Sequence, residues 1–242
     1  MSFPRKVFVE TLDHLDEIDP RAMRSRRDLQ RVHRVMGTRS IVCNGLKQMF
    51  PHFPPGRLRV LELGAGDGTL MLSVAKALRP IWGAVDFTLL DRQKLVSPKT
   101  AEAYERVNWN VDIEVGDVTD WIENSVRTPR DQHLERWDFI IVNLFLHHFE
   151  GATLVDLLNA IARSSSRFFA CEPHRSYFAL AGSHLVGALG ANAVTREDAV
   201  LSVRAGFRNA EITKLWKQTE CRWSVSEYSA GLFSHCFAAH RQ

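Results

Sequence analysis

This sequence of 242 residues contains little that points to a metal, a membrane or a nucleic acid. Its four cysteines, Cys43, Cys171, Cys221 and Cys236, are scattered, with no CxxC pair and no Cys/His spacing that would build a zinc site. Free thiols in a reducing compartment are expected, and no metal. No long charge-free apolar run is present, and the start MSFPRKVFVETLDHLDEIDP lacks the apolar stretch of a signal peptide. A soluble, cytoplasmic protein without a membrane span is therefore expected. The formal charge of +3 is too small an excess for a general nucleic-acid binder, so no nucleic-acid partner is expected. Internal repeats and low-complexity tracts are also missing. Hydrophobic content of 45% and charged content of 24% are ordinary for a globular chain long enough to form one large α/β domain.

What the sequence does have is a rhythm. Five apolar runs read as strands: LRVLEL, DFTLL, VDIEV, WDFIIV and RFFAC. They end near Glu62, Asp91, Asp117, Asn143 and Glu172, roughly 26 to 29 residues apart, the length of one strand-helix-strand unit. Helical spacing fills the gaps, as with Leu70, Val74 and Leu78, or Leu154, Leu157, Leu158 and Ile161. In a parallel sheet the carboxyl ends of strands share one edge, where ligands bind, so these five polar residues should converge. Further on, TREDAVLSVRAGF reads as a helix with a capping box from Thr195 to Asp198 and a stop at Gly206. The runs AEITKLW from Ala210 and GLFSHCFAA from Gly231 are candidate sixth and seventh strands.

Residues 1–50 look different and are expected to form a helical lid on a domain spanning 51–242. Asp19 and Pro20 open a helix that closes at Gly37, with Leu29, Val32 and Met36 on one face and six arginines elsewhere. The arginines read as a solvated face, or alternatively as an acid-binding one.

The first strand runs into LELGAGDG. Glycine allows positive φ and leaves bare backbone against a ligand, as a nucleotide-like group requires. Gly64, Gly66 and Gly68 give GxGxG, not the GxGxxG of dinucleotide sites. Asp91 is placed to accept from two ribose hydroxyls and Asp117 from an adenine amino group, while Glu62 suits a ligand carrying an ammonium and a sulfonium. The ligand is expected to be an adenosine with a cationic tail.

On VLELGAGDG, LLD, VGDV and WDFIIVNLFLHHF, the chain resembles the class I S-adenosylmethionine-dependent methyltransferases over roughly residues 58–240. The resemblance implies a Rossmann-like α/β fold, a seven-strand sheet with its last strand antiparallel, and S-adenosyl-L-methionine as cofactor. It places Glu62, Gly64 and Gly66 beside the methionine moiety, Asp91 on the ribose and Asp117 with Val118 around adenine, and it makes Ala65, Arg92 and Asn143 cofactor-binding as well. Gly68 is left between ligand contact and helix packing. EPHRSYFALAGSHLVGALGANAVTREDAVLSVRAGF further resembles small-molecule methyltransferases associated with bacterial type III polyketide synthases, which implies a phenolic or polyketide-like acceptor.

Methyl transfer from a sulfonium is an in-line displacement, and a phenolic or acidic-carbon acceptor must also lose a proton. A base poised near neutrality would serve, so His147 and then His148, directly after the fourth strand, are the candidates. The alternative is that both only cap the following helix or shape the pocket. Glu172 is expected to orient a histidine, or else to pair with Arg175, which is itself a candidate holder of an acceptor carboxylate or phenolate. No proline-rich box follows Asn143, which argues against a DNA amino-methyltransferase. The expected partner is a small-molecule acceptor, methylated on oxygen ahead of carbon. The rival readings are a non-catalytic cofactor-binding or partner-activated module and a protein or RNA methyltransferase.

Overall fold

The computed structural model describes residues 3–50, 56–127, 137–216 and 222–242. Among them seven strands form one sheet: β1 (Leu58–Leu63), β2 (Val85–Asp91), β3 (Trp109–Val115), β4 (Phe139–Asn143), β5 (Arg167–Pro173), β6 (Trp223–Ala230) and β7 (Ser234–Arg241). Their spatial order is β3-β2-β1-β4-β5-β7-β6. The first five are parallel, and β7 runs antiparallel to both its neighbours. The expected α/β architecture and antiparallel last strand are observed.

The helices are α1 (Pro20–Met36), α2 (Thr38–Met49), α3 (Thr69–Leu78), α4 (Pro98–Glu105), α5 (Val118–Arg127), α6 (Gly151–Ser164), α7 (Tyr177–His184), α8 (Ala193–Ala205) and α9 (Glu211–Leu215). Side chains alternate across a strand, so adjacent residues of β1 serve two cores. Val60 joins Val42 and Leu46 of α2 and Val74 of α3 on one side of the sheet, and Leu61 joins Ile140 of β4 with Leu157 and Ile161 of α6 on the other. The chain runs outward from β1 to β2 and β3, then returns to β4 on the far side of β1. The crevice between β1 and β4 at their carboxyl ends is thus the switch point where doubly wound sheets bind ligands.

Three expectations need correcting. AEITKLW is not a strand: Glu211–Leu215 is the short helix α9, and β6 is built instead from Trp223–Ala230. Ile212 and Trp216 stand at helical spacing, and the backbone N–H groups of Ile212 and Thr213, left free by a helix start, donate to the Glu227 carboxylate at 3.0 and 2.7 Å. α8 begins earlier than the Thr195 signature implied, because Asn192 is the N-cap and its side chain accepts from Thr195 N–H. In α1 the fully buried positions are Ala22, Ser25 and Asp28, whereas Leu29, Val32 and Met36 are only half-buried. Asp28 accepts from Arg31 and from the Asn192 backbone, and Ser25 bonds Thr195 at 2.8 Å, so a polar seam docks α1 on α8.

Cys43, Cys171 and Cys236 are buried free thiols; Cys221 and the expected domain boundary at residue 51 lie outside the described residues. No described helix is long and apolar enough to cross a membrane.

Candidate active site

A cavity of about 450 Å³ lies at the carboxyl edge of the sheet. Glu62, Gly64, Ala65, Gly66, Asp91, Arg92, Asp117, Val118, Asn143, His147 and His148, all expected site residues, line it. Glu172 does not; it stands behind His147.

Backbone conformation explains the glycines. Gly64, Gly66 and Gly68 have φ of +70°, +58° and +70°, the left-handed region that favours glycine. The loop is pinned to β2 by Gly64 and Ala65 N–H groups donating to Leu90 carbonyl. A Cβ on Gly66 would meet nothing within 4 Å, so bare backbone faces open space there. A Cβ on Gly68 would only touch Leu89, Thr100 and Val96 at ordinary distance, and its carbonyl accepts from Tyr104. Gly68 belongs to helix packing.

The strand-end carboxylates differ in what occupies them. Glu62 is 3% exposed, and its Oε2 has no hydrogen-bond partner. Burial, and then the negative charges of Asp91 and Asp67, push its carboxyl well above the usual carboxylate range. A cation beside it would relieve both deficits. Asp91 braces the loop, accepting from Gly66 N–H at 2.8 Å on one oxygen and Gln93 N–H at 2.9 Å on the other. Asp117 caps α5: one oxygen accepts from Thr119 N–H and hydroxyl, which hold its carboxyl below the usual range. Its other oxygen remains available. Arg92 turns its guanidinium to the carbonyl and carboxylate of Asp13 and so tethers the N-terminal segment. The buried Asn143 Oδ1 is also unpartnered.

After β4 the chain turns sharply. Leu144 has φ +52°, an uncommon conformation for a residue with a branched side chain, and the turn is held by Glu172. That carboxylate, fully buried, accepts from the backbone N–H groups of Phe145 (3.0 Å), Leu146 (2.9 Å) and His147 (3.3 Å), and from His147 Nδ1 at 2.8 Å. Glu172 therefore holds the His147 ring from behind. Its other expected partner, Arg175, is engaged elsewhere: it is buried and donates to Glu211, Gly206 carbonyl and Phe3 carbonyl. Arg175 is corrected to a lock between α9 and the N-terminal segment.

His147 lies where expected, but not in the protonation state of a base poised near neutrality. Its Nε2 meets Glu10 Oε1 at 3.3 Å while Nδ1 meets Glu172. Burial lowers its pKa, but the hydrogen bonds and charges of Glu10 and Glu172 outweigh burial and raise it to about 9. When protonated, the ring donates from both nitrogens. His148 Nδ1 faces Asp13 at 3.1 Å.

Several lining residues escaped the sequence reading: Glu10, Asp13, Gln30, His33 and Ser202. Glu10 and Asp13 sit on a segment fixed by Lys6 N–H to Arg204 carbonyl and by Thr11 and Leu12 N–H to the two oxygens of Asp198. Gln30 bonds Asp67 at 2.7 Å, and burial holds His33 neutral, its pKa lowered to about 4. No local motif marks any of them, because their neighbours in space are far away in the chain.

No protein-family model and no curated protein sequence matches the chain. Solved structures do. The plantazolicin methyltransferase BamL, in complex with a triazolic desmethylPZN analog and SAH, is 12% identical, with 96% of this chain and 94% of that chain covered at a TM-score of 0.63. Its counterpart BpumL, with a pentazolic analog and SAH, is 13% identical over 93% and 92% at 0.59. An O-methyltransferase family protein from Burkholderia thailandensis is 15% identical at 0.53; the match covers 96% of this chain but 61% of that one. The chain has the fold of these methyltransferases.

Proposed function

We propose that this protein is an S-adenosylmethionine-dependent methyltransferase acting on a small phenolic or polyketide-derived molecule, on oxygen ahead of carbon. The observation that carries the cofactor is Glu62: a buried carboxylate with an unpartnered oxygen, beside a glycine loop whose Gly66 faces open space. A ligand with an ammonium and a sulfonium supplies the missing positive charge. The plantazolicin methyltransferase structures of the same fold hold SAH, which supports the same cofactor class here.

Glu62, with Gly64, Ala65 and Gly66, would hold the amino-acid end of the cofactor. Asp91 and Arg92 would face its ribose, Asp117 and Val118 its adenine, and Asn143 would add a polar wall. When bound, the cofactor provides a methyl group on a cationic sulfur. The chain's own task is to align an acceptor atom and exclude water. His147, held by Glu172 and reaching the cavity, would present an N–H to the acceptor oxygen, with His148 beside it.

Labelled S-adenosylmethionine offered with panels of phenols, proteins and RNA tests the reading. Transfer to phenols is expected. Tight SAH binding with no transfer to any panel would instead establish a non-catalytic module. His147→Ala should lower turnover by roughly a hundredfold while leaving SAH affinity unchanged.

A further inference from the structure

His147 shows its Nδ1 side to Glu172 and its Nε2 side to the cavity, and the cavity side is already taken. Glu10 Oε1 stands 3.3 Å from Nε2 and is braced by the Ser202 hydroxyl. Its segment is tied on both sides: the Arg5 side chain before it donates to the carbonyls of Ala205 and Phe149 (2.7 and 2.9 Å), and the N–H groups of Thr11 and Leu12 after it donate to Asp198. A carboxylate fixed in this way in the wall of an acceptor pocket is part of the site.

We infer that Glu10 is a positioning residue that clamps the His147 imidazole from the cavity side, so that an acceptor must compete with a carboxylate for Nε2 and acceptors able to present an oxyanion are selected. The inference rests on the methyl-transfer reading for its acceptor half only. An alcohol is a much poorer partner for an imidazolium N–H than a carboxylate is, whereas a phenolate carries comparable charge. The acceptor therefore binds as its anion, after one proton has left the phenol for solvent. The phenolate oxygen then forms the new bond to the methyl carbon, the carbon–sulfur pair stays on sulfur, and His147 keeps its proton throughout. The balance is one phenol in, one methyl ether and one proton out.

The charged groups around His147 account for the proton on its ring. Glu172 faces it from β5, Glu10 and Asp13 from the N-terminal segment, His148 from its own turn, and Asp198 lies on α8 behind Glu10. On the backbone side, the Arg5 guanidinium lies 3.3 Å from the His147 carbonyl. Carboxylates dominate, which keeps the ring cationic at neutral pH.

The test has two arms. In the free protein, the His147 ring is titrated by nitrogen-detected NMR in wild type and Glu10→Gln. The midpoint should lie near 9 in wild type and fall by one unit or more in the variant. Equal midpoints overturn the clamp, with no methyl transfer needed for the decision. Should Glu10→Gln fold poorly, Ser202→Ala, which removes the brace, should move the midpoint the same way. In the second arm, phenols of falling pKa are compared at pH 7.5. Wild-type kcat/KM should rise as the phenol becomes more acidic, by less than about tenfold per unit because the more acidic phenolate is the weaker nucleophile, until the phenol is ionised. The dependence should be shallower in Glu10→Gln. A flat wild-type series would overturn the selection, and a shifted midpoint without transfer to any acceptor would keep the clamp while sinking the methyltransferase reading.

Discussion

The Cβ that Gly64 lacks would fall 2.2 Å from Cδ2 of Phe145, so the glycine loop and the turn carrying His147 approach each other with no room for a methyl group. Gly64→Ala should therefore displace both halves of the site. With φ at +70° as well, the change should cost about 3 kcal/mol, lower the melting temperature by about 10 °C and abolish SAH binding. Differential scanning calorimetry and isothermal titration check both effects.

Gly66→Ala should separate these effects. Its φ of +58° makes alanine cost about 1 kcal/mol, but the added Cβ meets no protein atom. Stability should fall little while SAH affinity falls at least about tenfold. Undiminished affinity would remove this backbone from the ligand's path.

Glu62→Gln should stabilise the ligand-free protein. The folded carboxyl is raised above its unfolded value, so the stability it confers is complete below the ordinary carboxylate pKa and is lost as pH rises through the folded one. At pH 7 the wild type carries that loss and glutamine does not. The variant should melt higher without ligand and bind SAH more weakly, a crossing that a thermal-shift titration reads directly.

His147 imposes the same sign at higher pH. Its folded pKa is about 9, above the unfolded value, so its contribution is fully present below about 6.5 and disappears as pH rises through about 9. The melting temperature of wild type should fall between pH 7 and pH 10 relative to that of His147→Gln, and the two curves should be parallel below pH 6. Parallel curves throughout would mean that the imidazole does not gain its proton on folding.

Turnover should withstand a chelator. One ligand atom from each of Glu10, His147 and His148 lies within 4.8 Å of the others, but both nitrogens of His147 already face carboxylates and Glu10 Oε1 already accepts from Ser202. Activity lost on adding EDTA and regained with a divalent cation would contradict this.

Strand rhythm, the GxGxG loop and the acidic residues at Glu62, Asp91 and Asp117 were legible in the sequence, because pleat alternation, positive φ and strand length are encoded within a few neighbouring residues. The same locality misled at AEITKLW, where a helix start gains a distant carboxylate, that of Glu227, and overrides a strand-like composition. Only the tertiary structure brought Glu10 to His147 across 137 positions of chain, and with it the charge on the ring. A pKa depends on which groups lie within a few ångströms and on how much water has been excluded, and neither is determined until the whole chain has packed.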